Sequence, residues 1–196
     1  MASIFDVEIG MSRVICLDVE FSSPEFPELL SVGMAGTCAR EHYMEIDPLT
    51  VEGVMVMSRC SDFAYHGGVL EQWGVMPGCA ADYATMARRT ANWLSSEVSE
   101  MQARVSKPVL MAFDYEFDFT LLEDLLRRYG YEEILSSLIQ PLNVSELTFR
   151  FDAAMAGEEA FETLSKRGLR RHHALADALS LRASLHAVVC GKRMPL

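Results

Sequence analysis

The sequence has no Cys-x-x-Cys pair, no long apolar run and few cations. Its five cysteines (Cys16, Cys38, Cys60, Cys79, Cys190) are odd in number and dispersed. That pattern argues against a disulfide frame or a zinc site and reads as reduced thiols in a cytoplasmic protein. No stretch approaches the ~20 apolar residues that a membrane span requires. The first residues carry Asp6 and Glu8 instead of a basic-then-apolar run, so no signal peptide is expected. Lys and Arg number 17 against 28 Asp and Glu, a net charge of −11. This is the wrong sign for a protein that coats nucleic acid, because affinity for a polyanion comes from Lys and Arg neutralising phosphates. A nucleic-acid ligand would therefore need a local site at which metal ions supply the positive charge.

What is present fits an ordinary globular chain. Half of the 196 residues are hydrophobic and 23% are charged, so one domain over 1–196 can bury a sizeable core without covalent staples. Arg13 to Phe21 is an apolar, β-branched run that predicts a first strand, Leu29 to Ala35 a second, and His42 to Ile46 a third. Their short connections suggest an antiparallel meander. Val51 to Gly78 has no clean period and reads as irregular connection, with a short helix near Val69–Trp73. Ala80 to Val98 is predicted helical, since Tyr83, Met86, Ala87, Thr90 and Leu94 recur at three- and four-residue steps. Val109 to Phe113 predicts a fourth strand. Asp118 to Tyr129 predicts a helix stopped by Gly130, with Tyr131 to Leu138 a shorter one. A fifth strand is expected near Leu142–Val144, followed by helices over Glu158–Lys166 and His173–Val189. The expected class is α/β, a five-stranded mixed sheet flanked by helices.

Three short motifs carry chemistry. Asp18-Val19-Glu20 ends the first strand, where residues two apart face the same way. The two carboxylates project together, and like charges so close are costly unless a cation lies between them. Carboxylates suit Mg²⁺ or Mn²⁺. Phe117-Asp118 opens the helix after the fourth strand; an N-cap aspartate is the structural alternative there. His172-His173-Ala174-Leu175-Ala176-Asp177 opens the last helix. Asp177 stands in an apolar helical stretch, where a free carboxylate is expensive unless it holds a metal. His172 is expected on the loop before that helix, and His173 stays a rival to it as ligand or cap.

Taken together and in this order, the motifs resemble those of the DEDDh 3′–5′ exonucleases, the ribonuclease T or polymerase-proofreading superfamily with a ribonuclease H-like fold. The resemblance runs from about Val14 to Val189, and the strand pair Glu28–Ala35 and Arg40–Ile46 is most similar to ribonuclease AS-like exoribonucleases. It implies a two-metal mechanism with Mg²⁺ or Mn²⁺, in which Asp18 bridges two ions. Glu20 and Asp177 complete the first, and Asp118 holds the second. It implies His172 as general base on the attacking water, with release of nucleoside 5′-monophosphates from a single-stranded 3′ end, RNA favoured. It also implies a homodimer. Asp114 stands where relatives often carry Asn and competes with Asp118 for the metal. Asp118 is preferred because Phe117 precedes it and Leu121-Leu122 follow it. A single-stranded DNA exonuclease and a non-catalytic nucleic-acid- or protein-binding domain are the competing readings.

Further candidates concern substrate. Lys166, Arg167, Arg170 and Arg171 form the one dense basic patch, suited either to guiding phosphates or to complementing a helix C-terminus stopped at Gly168. Arg170 and Arg171 lie nearest His172. Phe21, Phe26 and Phe117 are aromatics beside the acidic motifs that could stack terminal bases. By strand alternation Phe21 also qualifies as core, while Phe26 sits in a loop between Pro24 and Pro27.

Overall fold

The computed structural model describes residues 11–36, 40–104 and 107–190. Cys38, Asp6 and Glu8 lie outside them, and the other four cysteines are free. The strands are β1 (Val14–Phe21), β2 (Leu29–Ala35), β3 (Glu41–Ile46), β4 (Ala80–Ala81), β5 (Val109–Phe113) and β6 (Ile139–Asn143). The helices are α1 (Val51–Met57), α2 (Asp62–His66), α3 (Tyr83–Arg104), α4 (Glu116–Arg128), α5 (Glu133–Leu138), α6 (Ser145–Thr148), α7 (Phe151–Ser165) and α8 (Ala174–Cys190).

The sheet runs in the order β4-β3-β2-β1-β5-β6. The meander β1–β2–β3 is antiparallel, while β4, β5 and β6 join in parallel. It has six strands where five were expected. The extra one, β4, is two residues long, too short to carry a period-two pattern, and it forms by pairing with Glu45 and Ile46 of β3. β6 begins three residues earlier than expected because Pro141 lies inside it. A strand at the sheet edge tolerates a missing backbone N–H.

Alternation along β1 divides the interior. Ile15, Leu17 and Val19 meet α3 and α4 on one face, in a core with Met34, Met86, Leu94, Leu122 and Leu126. Val14 and Cys16 face the opposite way and pack with Leu110, Ala112 and the apolar length of α8. α4 has Leu121, Leu122, Leu125 and Leu126 buried, an i, i+1, i+4, i+5 stripe, and ends in a left-handed Gly130 (φ 78°). α8 is buried on nearly every side because β2 lies beneath it and α7 covers it.

The stretch read as irregular holds two short α-helices, α1 and α2, and a 3-10 turn at Leu70–Gln72 where a short helix was expected. Thr50 and Ser61 cap α1 and α2 by accepting the N–H of Gly53 and of Ala64. α7 begins at Phe151, seven residues before expectation. Its buried residues Ala153, Ala156, Gly157, Ala160 and Leu164 have helical spacing, but all except Leu164 are small, and the helix opens on the exposed Phe151. No described helix is long and apolar enough to cross a membrane.

Candidate active site

Asp18 and Glu20 continue the face of β1 that Val14 and Cys16 turn toward α8. Asp18 is the antiparallel partner of Gly33 in β2. At Gly33 a Cβ would lie 2.1 Å from the carbonyl carbon of Ala174 and 2.2 Å from the amide nitrogen of Leu175. The missing side chain thus lets the first turn of α8 rest on the sheet beside Asp18, and Asp177 comes down onto the two acids of β1. A register shift follows Glu20, so that Phe21 opposes Leu29 instead of Leu30. Such bulges re-aim the residues that flank them.

Asp114 and Asp118 approach from β5. Asp114 follows Phe113 directly. Asp118 is the third residue of α4; Tyr115 is its N-cap, so Asp118 is not the cap itself. One carboxylate oxygen of Asp118 accepts the backbone N–H of Val19 at 3.4 Å, the other that of Tyr115 at 3.2 Å. These bonds fix the side chain in the wall between β1 and α4.

Two triads result. Carboxylate oxygens of Asp18, Glu20 and Asp177 lie within 4.8 Å of one another, and so do oxygens of Asp18, Asp114 and Asp118. Asp18 belongs to both. Two charges about 4 Å apart repel by roughly 4 kcal/mol at an effective dielectric near 20, so these acids cannot all be ionised unless cations lie between them, and otherwise some hold protons. Burial pushes the Asp18 and Glu20 carboxyls well above the usual range, and the neighbouring acids, Asp177 foremost, push them further. Asp118 is raised to about 8, by burial first and then by Asp114, against the pull of its two amide donors. Asp177 is raised to about 7 by burial, opposed by the His172 amide and the charge of Arg171.

The donors fit a hard divalent cation. Oδ2 of Asp18 is buried with no hydrogen-bond partner. The other donors are carboxylate oxygens, the ligand type that Mg²⁺ and Mn²⁺ take. Among the described residues lining the cleft, the single arginine is Arg171, and it is paired with Glu158.

The two histidines part company. His172 has a left-handed backbone (φ 63°), and its N–H donates to Oδ2 of Asp177 at 2.8 Å. This turn puts its ring in the cleft, edge-on to Phe63 at 5.3 Å. Partial burial and, less strongly, Arg171 lower its pKa. His173 is 1% exposed and stacks on Tyr43 at 4.2 Å, with neither ring nitrogen hydrogen-bonded. Burial drives its pKa down to about 4. It is a packing residue behind the sheet-facing start of α8.

The cleft over the acids measures about 520 Å³. Phe21 lines it and also packs on the core, stacked face to face with Tyr115 (5.9 Å, 4°) and met edge-on by Phe117 at 5.6 Å. Phe117 supports this pair from behind without lining the cleft. Phe26 is 80% exposed and outside the lining. Arg171 lines it, its guanidinium 4.3 Å above the Phe161 ring. Arg170 is exposed and does not line it; its backbone N–H donates to Gln72. The basic patch therefore disperses, with Arg167 forked onto Glu41, while Gly168 (φ 80°) ends the turn after α7. The far wall, Thr148, Ala154, Gly157, Glu158 and Phe161 with Ser180 and Ser184 of α8, is absent from the sequence reading, as is Tyr115. The one available signal was the helical spacing of small residues from Ala153 to Ala160.

Class, on this evidence of shape, is a mixed α/β protein with a six-stranded sheet, helices on both faces and an acidic cleft at the ends of β1 and β5. Compared with known proteins, the chain matches no family model, and no curated protein matches it.

Proposed function

We propose that this protein is a divalent-metal-dependent 3′–5′ exonuclease of the DEDDh kind, with a ribonuclease H-like fold. It would act on single-stranded RNA or short oligoribonucleotides and release nucleoside 5′-monophosphates. The observation that carries the reading is the pair of carboxylate triads sharing Asp18, with one histidine of the doubled pair turned into the same cleft. Asp18, Glu20 and Asp177 would hold one Mg²⁺ or Mn²⁺, and Asp18 with Asp118 the other. Divalent cations at such a site supply charge stabilisation for in-line displacement at phosphorus.

The chain's own groups do the rest. His172 accepts a proton from the attacking water, a task suited to a half-buried imidazole whose pKa lies below its ordinary value. Phe21, backed by Tyr115 and Phe117, offers an aromatic face to a terminal base. Arg171 meets a phosphate on the α7 side. A homodimer belongs to the proposal; Val51, Val54 and Met55 leave one face of α1 apolar and exposed, a surface that a second subunit can cover.

The test uses 3′-labelled RNA and DNA oligomers side by side, in Mg²⁺, in Mn²⁺ and in EDTA. Mononucleotide release from the 3′ end that stops in EDTA, with RNA consumed faster, is the expected result. Full turnover in chelator, or inertness toward both polymers, sinks the reading.

A further inference from the structure

Asp114 has no part in the roles above, yet the sheet delivers it to the same place as Asp18. Ala112 of β5 pairs in parallel with Cys16 of β1. Asp114 and Asp18 each stand two residues further on, and side chains two apart share a face. Leu110 and Ala112 lie on the α8 side of the sheet with Val14 and Cys16, so Asp114 and Asp18 come off neighbouring strands on that side. A carboxylate oxygen of Asp114 accordingly lies within 4.8 Å of one on Asp18 and one on Asp118. The buried Oδ2 of Asp18, which no donor satisfies, belongs to the residue common to both triads. Asp118 already spends one lone pair of each oxygen on a backbone N–H, which leaves it a constrained ligand. Asp114 has no such tether to another element among the hydrogen bonds described.

We infer that Asp114 is a direct ligand of the second cation, beside Asp18 and Asp118, so that the ion pair is held by five carboxylates and not four. This inference rests on the two-cation part of the proposed function. Asp114 and Asp118 are then partners at one ion, and no choice between them is needed. Added carboxylate charge tightens a hard-cation site. It also makes the cation-free protein harder to hold together, because each acid adds repulsion in a cleft lined by a single arginine, Arg171, which is itself paired with Glu158.

The experiment is calorimetric titration of the chelator-stripped full chain with Mn²⁺ in the absence of substrate, beside a thermal melt of the same samples. Wild type is expected to take up two ions. Asp114→Asn should bind the first ion as wild type does and the second at least about tenfold more weakly. Its cation-free melting temperature should equal or exceed that of wild type. Asp124→Asn, which removes an exposed acid of α4 paired with Arg127, controls for charge alone and should match wild type. If Asp114→Asn misfolds, Asp114→Ser is read in the same way. Unchanged uptake of both ions by the Asp114 variant overturns the inference, as does equal weakening of both ions with a lowered cation-free melting temperature. No oligonucleotide enters the measurement. A chain that needs Asp114 for its second Mn²⁺ but degrades nothing would therefore refute the exonuclease reading and leave this inference standing.

Discussion

Gly33 and Ala174 touch backbone to backbone: a Cβ on Gly33 would stand 2.1 Å from the Ala174 carbonyl carbon. Gly33 is at the same time the strand partner of Asp18, and Ala174 is three residues before Asp177 on α8. The distance from β1 to Asp177 is thus set by the absence of one methyl group. Gly33→Ala should lift the start of α8, cost about 1–3 kcal/mol of stability as overpacking does, and weaken Mn²⁺ uptake at the Asp18–Glu20–Asp177 triad. Urea unfolding and calorimetry check this. Wild-type unfolding together with wild-type Mn²⁺ affinity would mean that the contact does not govern the site.

Asp18 lies in both triads, so its loss should be the most damaging single change. Asp18→Ala is expected to stay folded and to lose at least about 10³-fold in kcat, the scale of removing a major electrostatic element. Circular dichroism and single-turnover kinetics on labelled RNA supply the two readings. A near wild-type rate would take Asp18 out of the mechanism.

The two adjacent histidines should separate cleanly. His172→Ala, whose ring faces the cleft, should keep Mn²⁺ binding and lose roughly 10²–10⁴-fold in rate, the usual worth of a general base. The alkaline-rising limb of the wild-type pH–rate profile should vanish with it. His173→Ala removes a buried ring stacked on Tyr43, so it should lower the melting temperature and leave the rate of folded protein nearly intact. The reverse pattern would put the base one residue further along the chain.

Stability of the metal-free protein should fall with rising pH between about 6.5 and 8. Asp118 and Asp177 titrate near 8 and near 7 in the folded protein, against about 3.9 in an unfolded chain. The native state therefore holds more protons than the unfolded state across this window, so stability drops as pH rises and levels off once pH passes the folded values. His42 and His173, pushed down to about 4 by burial, act with the opposite sign: they lose stability as pH falls below about 6.5 and are silent above it. Melting temperatures in EDTA across this window should decline, and excess Mg²⁺ should flatten the decline because cations replace the protons. A flat or rising trend in EDTA would contradict the acid cluster.

Local pattern alone determined a good part of this protein. Leu29–Ala35 and Val109–Phe113 were legible as strands from their runs of apolar residues, and the buried faces of α3 and α4 from three- and four-residue steps. Alternation put Asp18 and Glu20 on one side of β1, and His172 preceded the last helix as expected, although that helix begins at Ala174 and not at His173. Each of these follows from a repeat that a few neighbouring residues carry by themselves. Tertiary structure decided what such repeats cannot encode. β4 exists through its partner in β3, and α7 is helical through small residues that fit against Ser180 and Ser184, whose hydroxyls donate to the Gly157 and Ala153 carbonyls. His172 was separated from His173 by one left-handed residue whose N–H is held by Asp177. Above all, Asp114 joined Asp18 and Asp118 because β1 and β5 pair in parallel across nearly a hundred residues of chain, and Asp177 joined them because Gly33 has no side chain. Both are long-range contacts, made by backbone register and steric room, and neither leaves a period in the sequence.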